Sequence, residues 1–422
     1  MKNSIFNSYF EITDQCGIIY NSFSNKYIIT TRPNINTMRD GNYDNLPGNL
    51  YKDLVESSML VDNEKDEGTD LQKKRCLQYA DPTQYYITIN PTLNCNLSCW
   101  YCYETKVPGR MSDALLEGLK KHLTNKLSDA ELKFIRCYFF GGEPLMYFKR
   151  ICSPIMKVVY EKCIQNNIEY LFDFTTNSVL LTDEMIKELE FYKNVTFQIT
   201  LDGNREAHNA TRYSHNKQGT YDIIICNMRK ILHSGFKLNV RFNVTVDNID
   251  GVRDVIKDII DFREYKKTCC ISFERVWQDF EKGDIRKKSQ EVEKLFQDNG
   301  FIIDVVAHIE EPKWCYANRK NSAIINYDGY VYKCSARDFI HENSEGRLKE
   351  DGSIEWNVDQ VKRRKLLISQ NKACYTCRIG PICTERCSQK LMENGLNVCP
   401  FSEERKDEMI LNRLHYYLFQ KA

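Results

Sequence analysis

Cys95-Asn-Leu-Ser-Cys99-Trp-Tyr-Cys102 comes shortly after a β-prone apolar run, Tyr85-Tyr-Ile-Thr-Ile89, and the two stretches together decide how the chain reads. Three thiols at such short spacing, set at the end of a strand, call for a soft metal partner, and thiolate suits iron–sulfur clusters. No fourth cysteine lies nearby. Three ligands for four irons leave one iron open to bind something that reacts. A second set fills the last quarter: Cys315, Gly329-x4-Cys334, Cys374-x2-Cys377-x5-Cys383-x3-Cys387 and Cys399.

Two plainer readings account for less. The chain has 18 cysteines, which in a small secreted protein would suggest disulfides. Here Met1 to Phe10 is polar and broken, without the apolar centre of a signal peptide. At 422 residues the chain buries ample cores without covalent staples. Structural zinc suits Cys374-x2-Cys377 by itself but leaves the early triplet unexplained. Composition is that of a globular protein, 42% hydrophobic and 28% charged. With 59 basic against 58 acidic residues there is no basic excess to attract nucleic acid. No run approaches the apolar length of a membrane span. Many thiols without an export signal imply a reducing cytoplasm.

Three segments follow from the patterning. Residues 1–82 carry a hairpin pattern, Gly17-Ile-Ile-Tyr20 and Tyr27-Ile-Ile-Thr30, then a helical stretch near Leu50 and an acidic linker, Asp62 to Glu67. Residues 83–305 alternate strands and helices. Strand candidates are 85–89, 134–140, 170–174, 195–199, 238–244 and 270–273. Leu115, Leu119, Leu123 and Leu127 share one helix face, and Thr182 reads as the N-cap of a helix burying Met185, Ile186 and Leu189. Six such units predict an α/β fold, an incomplete (β/α)6 barrel of the TIM type, with its chemistry at the C-terminal strand ends. Cys95, Gly141, Thr176 and Asp202 all fall there. Residues 306–422 lose this rhythm. A hairpin turns on Asp328-Gly329, the late cysteines are expected in loops, and 403–420 reads as a closing helix. Cys16, Cys76, Cys137, Cys152, Cys163, Cys226, Cys269 and Cys270 are expected to be buried small hydrophobes.

The triplet resembles the signature of the radical S-adenosylmethionine (radical SAM) superfamily, and the late set resembles its SPASM extension; together they span roughly residues 83 to 400. The resemblance implies that Cys95, Cys99 and Cys102 hold a [4Fe–4S] cluster whose open iron takes the amino and carboxylate groups of S-adenosylmethionine. Reductive cleavage then gives a 5′-deoxyadenosyl radical that abstracts a substrate hydrogen. Tyr101 resembles the residue beside the adenine. Gly141-Gly142-Glu143-Pro144 resembles the motif that binds the methionine amino group. There glycines permit close backbone approach, and Glu143 can accept bonds from an ammonium. Thr176, Asn177 and Ser178 sit where relatives have Thr-Asn-Gly. By the same likeness Thr200 contacts the ribose, Arg212 grips the carboxylate through its forked donors, and Val276 helps to seat the adenine. Arg241 is the alternative carboxylate partner, and His208 reads as structural.

The late cysteines resemble ligands of two auxiliary [4Fe–4S] clusters: Cys374, Cys377, Cys383 and Cys399 for the distal one, and Cys315, Cys334 and Cys387 for the nearer one. For the latter, either His308 supplies a fourth ligand, or one iron stays open and can bind a substrate thiolate. The implied activity is maturation of a ribosomally made precursor peptide, most simply by an intramolecular cross-link such as a thioether. Residues 1–82 then resemble a small α+β leader-recognition domain, and an external flavodoxin- or ferredoxin-type protein supplies electrons. The rival reading is a sulfatase-maturing, formylglycine-forming enzyme. Against it, Ser335 stands directly after Cys334 where that group carries an aspartate. A non-catalytic iron–sulfur electron-transfer protein is a third reading, disfavoured by the complete triplet with Glu143 and Arg212.

Overall fold

The computed structural model describes residues 1–303, 315–370, 372–383, 387–395, 399 and 401–419. Contacts divide them into two compact units. The first comprises 1–81 with the described parts of 308–320 and 359–422; the second comprises the described parts of 82–307 together with 321–358.

The first unit opens with an antiparallel sheet of β1 (Asn7–Glu11), β2 (Cys16–Asn21) and β3 (Lys26–Thr31), with β2 in the middle. The hairpin of β2 and β3 is the expected one, with Ile18 opposite Ile29 and Tyr20 opposite Tyr27. Helices α1 (Arg32–Asp40) and α2 (Gly48–Glu56) follow. Ile19, Ile35, Met38 and Leu54 pack into one cluster with them. Helix α3 (Glu67–Ala80) is capped by Asp66, whose carboxylate accepts from Thr69 N at 3.0 Å.

The second unit is built on one ten-stranded sheet. Its parallel part is β4 (Gln84–Ile89), β5 (Phe134–Phe139), β6 (Glu169–Thr176), β7 (Val195–Leu201), β8 (Lys237–Val244) and β9 (Cys269–Arg275), each pairing with the next. All six strand candidates are present. The intervening helices include α4 (Asp113–Leu127), α5 (Ser153–Asn166), α6 (Asp183–Glu190), α7 (Arg205–Thr211) and α8 (Tyr221–His233). Thr182 caps α6, accepting from Met185 N at 3.3 Å. On the other side of β4 the sheet continues through β10 (Ser322–Ile325), parallel to it, and then antiparallel through β11 (Tyr330–Tyr332), β12 (Gly346–Leu348) and β13 (Ile354–Trp356). The Asp328-Gly329 hairpin therefore extends the barrel sheet, and Cys334 lies just beyond it.

Parallel strands covered on both faces are usually apolar throughout, whereas these alternate. In β7, Val195, Phe197, Ile199 and Leu201 are buried while Thr196, Gln198 and Thr200 are half-buried; β8 repeats the pattern with Asn239, Arg241 and Asn243. One face packs on helices and the other is polar, carrying the Arg136–Asp173 ion pair at 2.8 Å. A polar concave face is what a barrel needs to hold a charged small molecule.

The chain then returns to the first unit with α10 (Val358–Gln370), which follows α9 (Arg286–Asp298) in sequence, then α11 (Lys372–Tyr375), α12 (Ser388–Asn394) and α13 (Glu403–Phe419). Cys374 lies on α11 rather than in a loop. The expectation of burial is corrected for four of the eight remaining cysteines. Cys76 and Cys226 are exposed, and Cys16 and Cys270 are half-buried; Cys137, Cys152, Cys163 and Cys269 are buried as expected. In α8 the core side is set by Ile224, Ile225, Met228 and Ile231, so helical phase turns Cys226 outward. No helix among the described residues is long and apolar enough to cross a membrane.

Ser178 has a φ of +60° and no solvent exposure, and its hydroxyl has no hydrogen-bond partner. Glycine adopts this left-handed conformation without the steric cost that serine bears. Ser178→Gly removes both the steric cost and the orphaned hydroxyl, and is expected to stabilise the fold by about 1 kcal/mol. Denaturant unfolding checks this; an unchanged or lowered midpoint would contradict it.

Candidate active site around the cysteine triplet

The loop bearing the triplet leaves the C-terminal end of β4 and is held on three sides within the second unit. Gly141 has a φ of +84°, and a Cβ there would stand 2.6 Å from Thr92 O; one on Gly142 would stand 2.6 Å from Leu93 O. The two glycines let the chain after β5 lie directly against the segment leading to Cys95. Glu143 N then donates to Asn94 O at 2.9 Å. On another side, the backbone of Ser98 donates to Tyr213 O at 3.0 Å. His215 reaches Cys95 O at 2.9 Å through Nε2 and Ser98 Oγ at 3.1 Å through Nδ1. On the third, Tyr103 Oη donates to Ser335 O at 2.8 Å and Thr105 N to Asp338 at 2.9 Å, tying the triplet loop to the stretch after Cys334.

Glu143 has no exposed surface. Its carboxylate accepts from Leu145 N at 2.9 Å, Thr176 Oγ1 at 2.6 Å and Asn177 N at 2.8 Å. Burial raises its pKa, and those hydrogen bonds oppose the rise. It thus joins the ends of β5 and β6, with Pro144 buried beside it. Asn177 carries the connection to the thiols: its amide nitrogen lies 3.8 Å from Cys95 Sγ and donates to Asn96 Oδ1 at 2.8 Å.

Beyond β7 stands a second polar group. Tyr101 Oη donates to Asp202 Oδ2 at 2.9 Å and accepts from Arg212 Nη1 at 2.9 Å. Arg212 Nε stands 3.6 Å from Asp202 Oδ2. Asp202 has no exposure, and burial pushes its carboxyl up to about 6 against the pull of Arg212, Tyr101 and Arg241. Thr200, one turn of the pleat earlier, is in register with Arg241 on β8. Arg241 bonds Asn243 Oδ1 at 2.9 Å. Val276 is buried at the end of β9, its N–H donating to Val244 O at 3.0 Å. His208 is fully buried, facing Asp202 N at 3.4 Å and Thr220 Oγ1 at 3.2 Å; burial holds its pKa well below the usual value. That is a structural histidine.

Burial raises the Cys95 and Cys102 thiols above the ordinary range, and each is raised further by the neighbouring Cys99. Among the described residues no three candidate ligands stand close enough for a single ion. Cubane ligands bind different irons and are spaced more widely than that. Asp202 Oδ1 and Arg212 Nε are buried without a hydrogen-bond partner, which suits a site completed by a polar, zwitterionic ligand. The donor set and these open valences fit a thiolate-held cluster with a bound amino acid moiety.

Sequence reading placed Asp202 at a strand end without giving it a role, and passed over His215 and Glu104. Glu104 is buried, its carboxyl pushed up to about 8 by burial and then by Asp338. A single acid or imidazole outside a motif carries no signal in one sequence. The late cysteines divide between the units. Cys334 belongs to the second, and Cys315, Cys374, Cys377, Cys383, Cys387 and Cys399 to the first. Within the first, Cys315 and Cys387 flank a contact in which Ser388 N donates to Asn318 Oδ1 at 3.3 Å. His308 lies outside the described residues.

Comparison with known proteins agrees with this geometry. Residues 89–265 match the Radical SAM superfamily. The cysteine-type anaerobic sulfatase-maturating enzyme of Clostridium novyi (strain NT) is 27% identical over 367 residues, 76% of this chain and 94% of that enzyme. The fold is similar to native anSMEcpe with bound AdoMet and Cp18Cys peptide, with a TM-score of 0.56, 19% identity, and coverage of 80% of this chain and 97% of that one. It is also similar to Streptococcus suis SuiB bound to precursor peptide SuiA, with a TM-score of 0.52, 15% identity, and coverage of 94% and 97%.

The raised Asp202 carboxyl has a consequence for stability. A group whose pKa is higher folded than unfolded stabilises the fold fully below its unfolded value, near 3.8, and loses that contribution as pH rises through about 6. Thermal melts of the wild type and Asp202→Asn from pH 4 to 7 are expected to diverge in slope. Glu104 and Glu143 titrate in both proteins, so both should lose stability across this window, the wild type more steeply; parallel curves would contradict the assignment.

Proposed function

We propose that this radical SAM enzyme modifies a ribosomally made precursor peptide, most simply by installing an intramolecular cross-link such as a thioether. Residues 89–265 belong to the radical SAM superfamily, and a [4Fe–4S] cluster and S-adenosylmethionine are its cofactors. Cys95, Cys99 and Cys102 would hold the cluster. The chemistry supplied there is reductive cleavage of a sulfonium, delivering a carbon radical able to take a substrate hydrogen.

The chain's own residues do the positioning. Gly141, Gly142 and Pro144 bring the end of β5 against the triplet loop, and Glu143 with Thr176 and Asn177 fixes the amino-group side of the site. Arg212, braced by Tyr101 and Asp202, faces the carboxylate side with a donor still free. Thr200 and Val276 line the nucleoside side. The polar barrel face admits the charged cofactor, while the apolar face keeps the helices locked.

The observation that carries the peptide reading is the antiparallel sheet of residues 7–31. Among the described residues its outer strand β3 pairs only with β2, and Ile29 on it is 51% exposed. Such an edge accepts an extended peptide as an added strand. A fold likeness reaching 94% of the chain for SuiB, against 80% for anSMEcpe, is consistent with that extra segment. Within this reading, residues 1–82 recognise the leader, 83–305 carry the radical chemistry and 306–422 carry two auxiliary [4Fe–4S] clusters. The distal one is held by Cys374, Cys377, Cys383 and Cys399, the nearer by Cys315, Cys334 and Cys387. A flavodoxin- or ferredoxin-type protein would supply the electrons.

Formylglycine formation is the second reading, favoured by the likeness to the Clostridium novyi enzyme. Ser335 after Cys334 counts against it. Mass spectrometry of a short peptide encoded beside the gene, incubated anaerobically with enzyme, reductant and S-adenosylmethionine, separates the two. A cross-link is expected as a loss of two hydrogens, with fragmentation blocked between the joined residues. A peptide left linear, with cysteine converted to formylglycine, would replace this reading with the second.

A further inference from the structure

The sheet of residues 7–31 and the loop bearing the late thiols are one structure. Ile18 and Tyr20 of β2 share a buried cluster with Ile379 and Ile382 and with Ile410 and Leu414 of α13, and Cys377 and Cys383 pack against it. Phe6, Leu71 of α3 and Tyr375 form a second shared cluster. Both lie within the first unit.

The loop itself is tight. Gly380 N donates to Cys377 O at 2.6 Å and Cys383 N to Ile379 O at 2.8 Å. A Cβ on Gly380 would stand 2.7 Å from the carbonyls of both Cys374 and Cys377. Buried carbonyls in a turn this tight need hydrogen-bond donors. Two of them are met from the N-terminal segment: Ser22 Oγ donates to Arg378 O, and Arg75 Nη2 donates to Gly380 O. Arg75, on α3, is only 2% exposed, among the most deeply buried large side chains of the protein.

We propose that Arg75 is a positioning residue for the cluster at Cys374, Cys377, Cys383 and Cys399, capping the loop that presents the thiols and setting the cluster's reduction potential with a buried positive charge. This rests on reading those thiols as cluster ligands. Four thiolates around a [4Fe–4S] core carry net negative charge, which grows on reduction, and potentials follow net charge and burial. A buried guanidinium beside the loop favours the reduced form. The N-terminal segment, whatever peptide it binds, is thereby part of the electron-handling site.

The test uses the full chain with Cys95, Cys99 and Cys102 replaced by alanine, so that only the late thiols can hold iron. Redox titration followed by electron paramagnetic resonance is run on this background and on Arg75→Gln and Arg75→Lys within it, with iron content measured for each. A lower midpoint for one of the clusters in Arg75→Gln, largely restored in Arg75→Lys, is expected. Loss of that cluster in Arg75→Gln alone, with the lysine variant loaded, also supports the role. Full iron with unchanged midpoints in Arg75→Gln overturns the proposal and leaves the cluster reading standing. A background protein that takes up no iron overturns the cluster reading and this inference with it.

Discussion

A buried carboxylate organises the candidate site. Glu143 has no contact with solvent, and an anion there is tolerable only because hydrogen-bond donors from its own loop and from the end of β6 converge on it. Those bonds fix where β5 and β6 end relative to each other. Its own N–H, bonded to Asn94 O, fixes where β4 delivers the chain to Cys95. The two glycines before it matter for the same reason, since any side chain at Gly142 would collide with the segment it must touch. The geometry of the triplet is thus set from the neighbouring strand rather than by the triplet loop, which is short and irregular.

Much of this was legible in sequence because it is local. The spacing of the triplet, the Gly-Gly-Glu-Pro run after a strand and the Thr182 cap each sit within a few residues, where type and spacing suffice. The six strands were legible because alternation on β5, β7 and β8 is strong. What escaped was non-local or solitary. Strand β1, Asn-Ser-Tyr-Phe-Glu, has little strand pattern of its own and owes its conformation to pairing with β2. The junction of Ile18 and Tyr20 with Ile410 and Leu414 spans nearly the whole chain and leaves no mark on either segment. Helix α3 gave no sign that its Arg75 is interior, because an arginine is normally read as surface. Asp202 is one acid in a Leu-Asp-Gly turn; only its position between Tyr101 and Arg212 distinguishes it.

The two units carry different kinds of constraint. In the second, polar side chains on one face of a mostly parallel sheet gather at the strand ends beside the triplet loop. In the first, apolar clusters bind a sheet whose outer strand is paired on one side only among the described residues to a cysteine-bearing loop that depends on side chains from that same N-terminal segment. Truncating residues 1 to 80 would strip the partners of Ile379, Ile382 and Gly380, so leader recognition is better probed by substitutions on the exposed face of β3. If, as proposed, the N-terminal segment binds a peptide and the loop of residues 374–383 holds a cluster, their shared core joins the two.

The central claim is that this chain's triplet cleaves S-adenosylmethionine. The direct measurement is 5′-deoxyadenosine formed by the anaerobically reconstituted and reduced protein, beside the Cys99→Ala variant prepared identically. The account predicts sustained formation by the wild type and none above background in the variant. Equal yields from both, or none from an iron-loaded and reduced wild type, would contradict it.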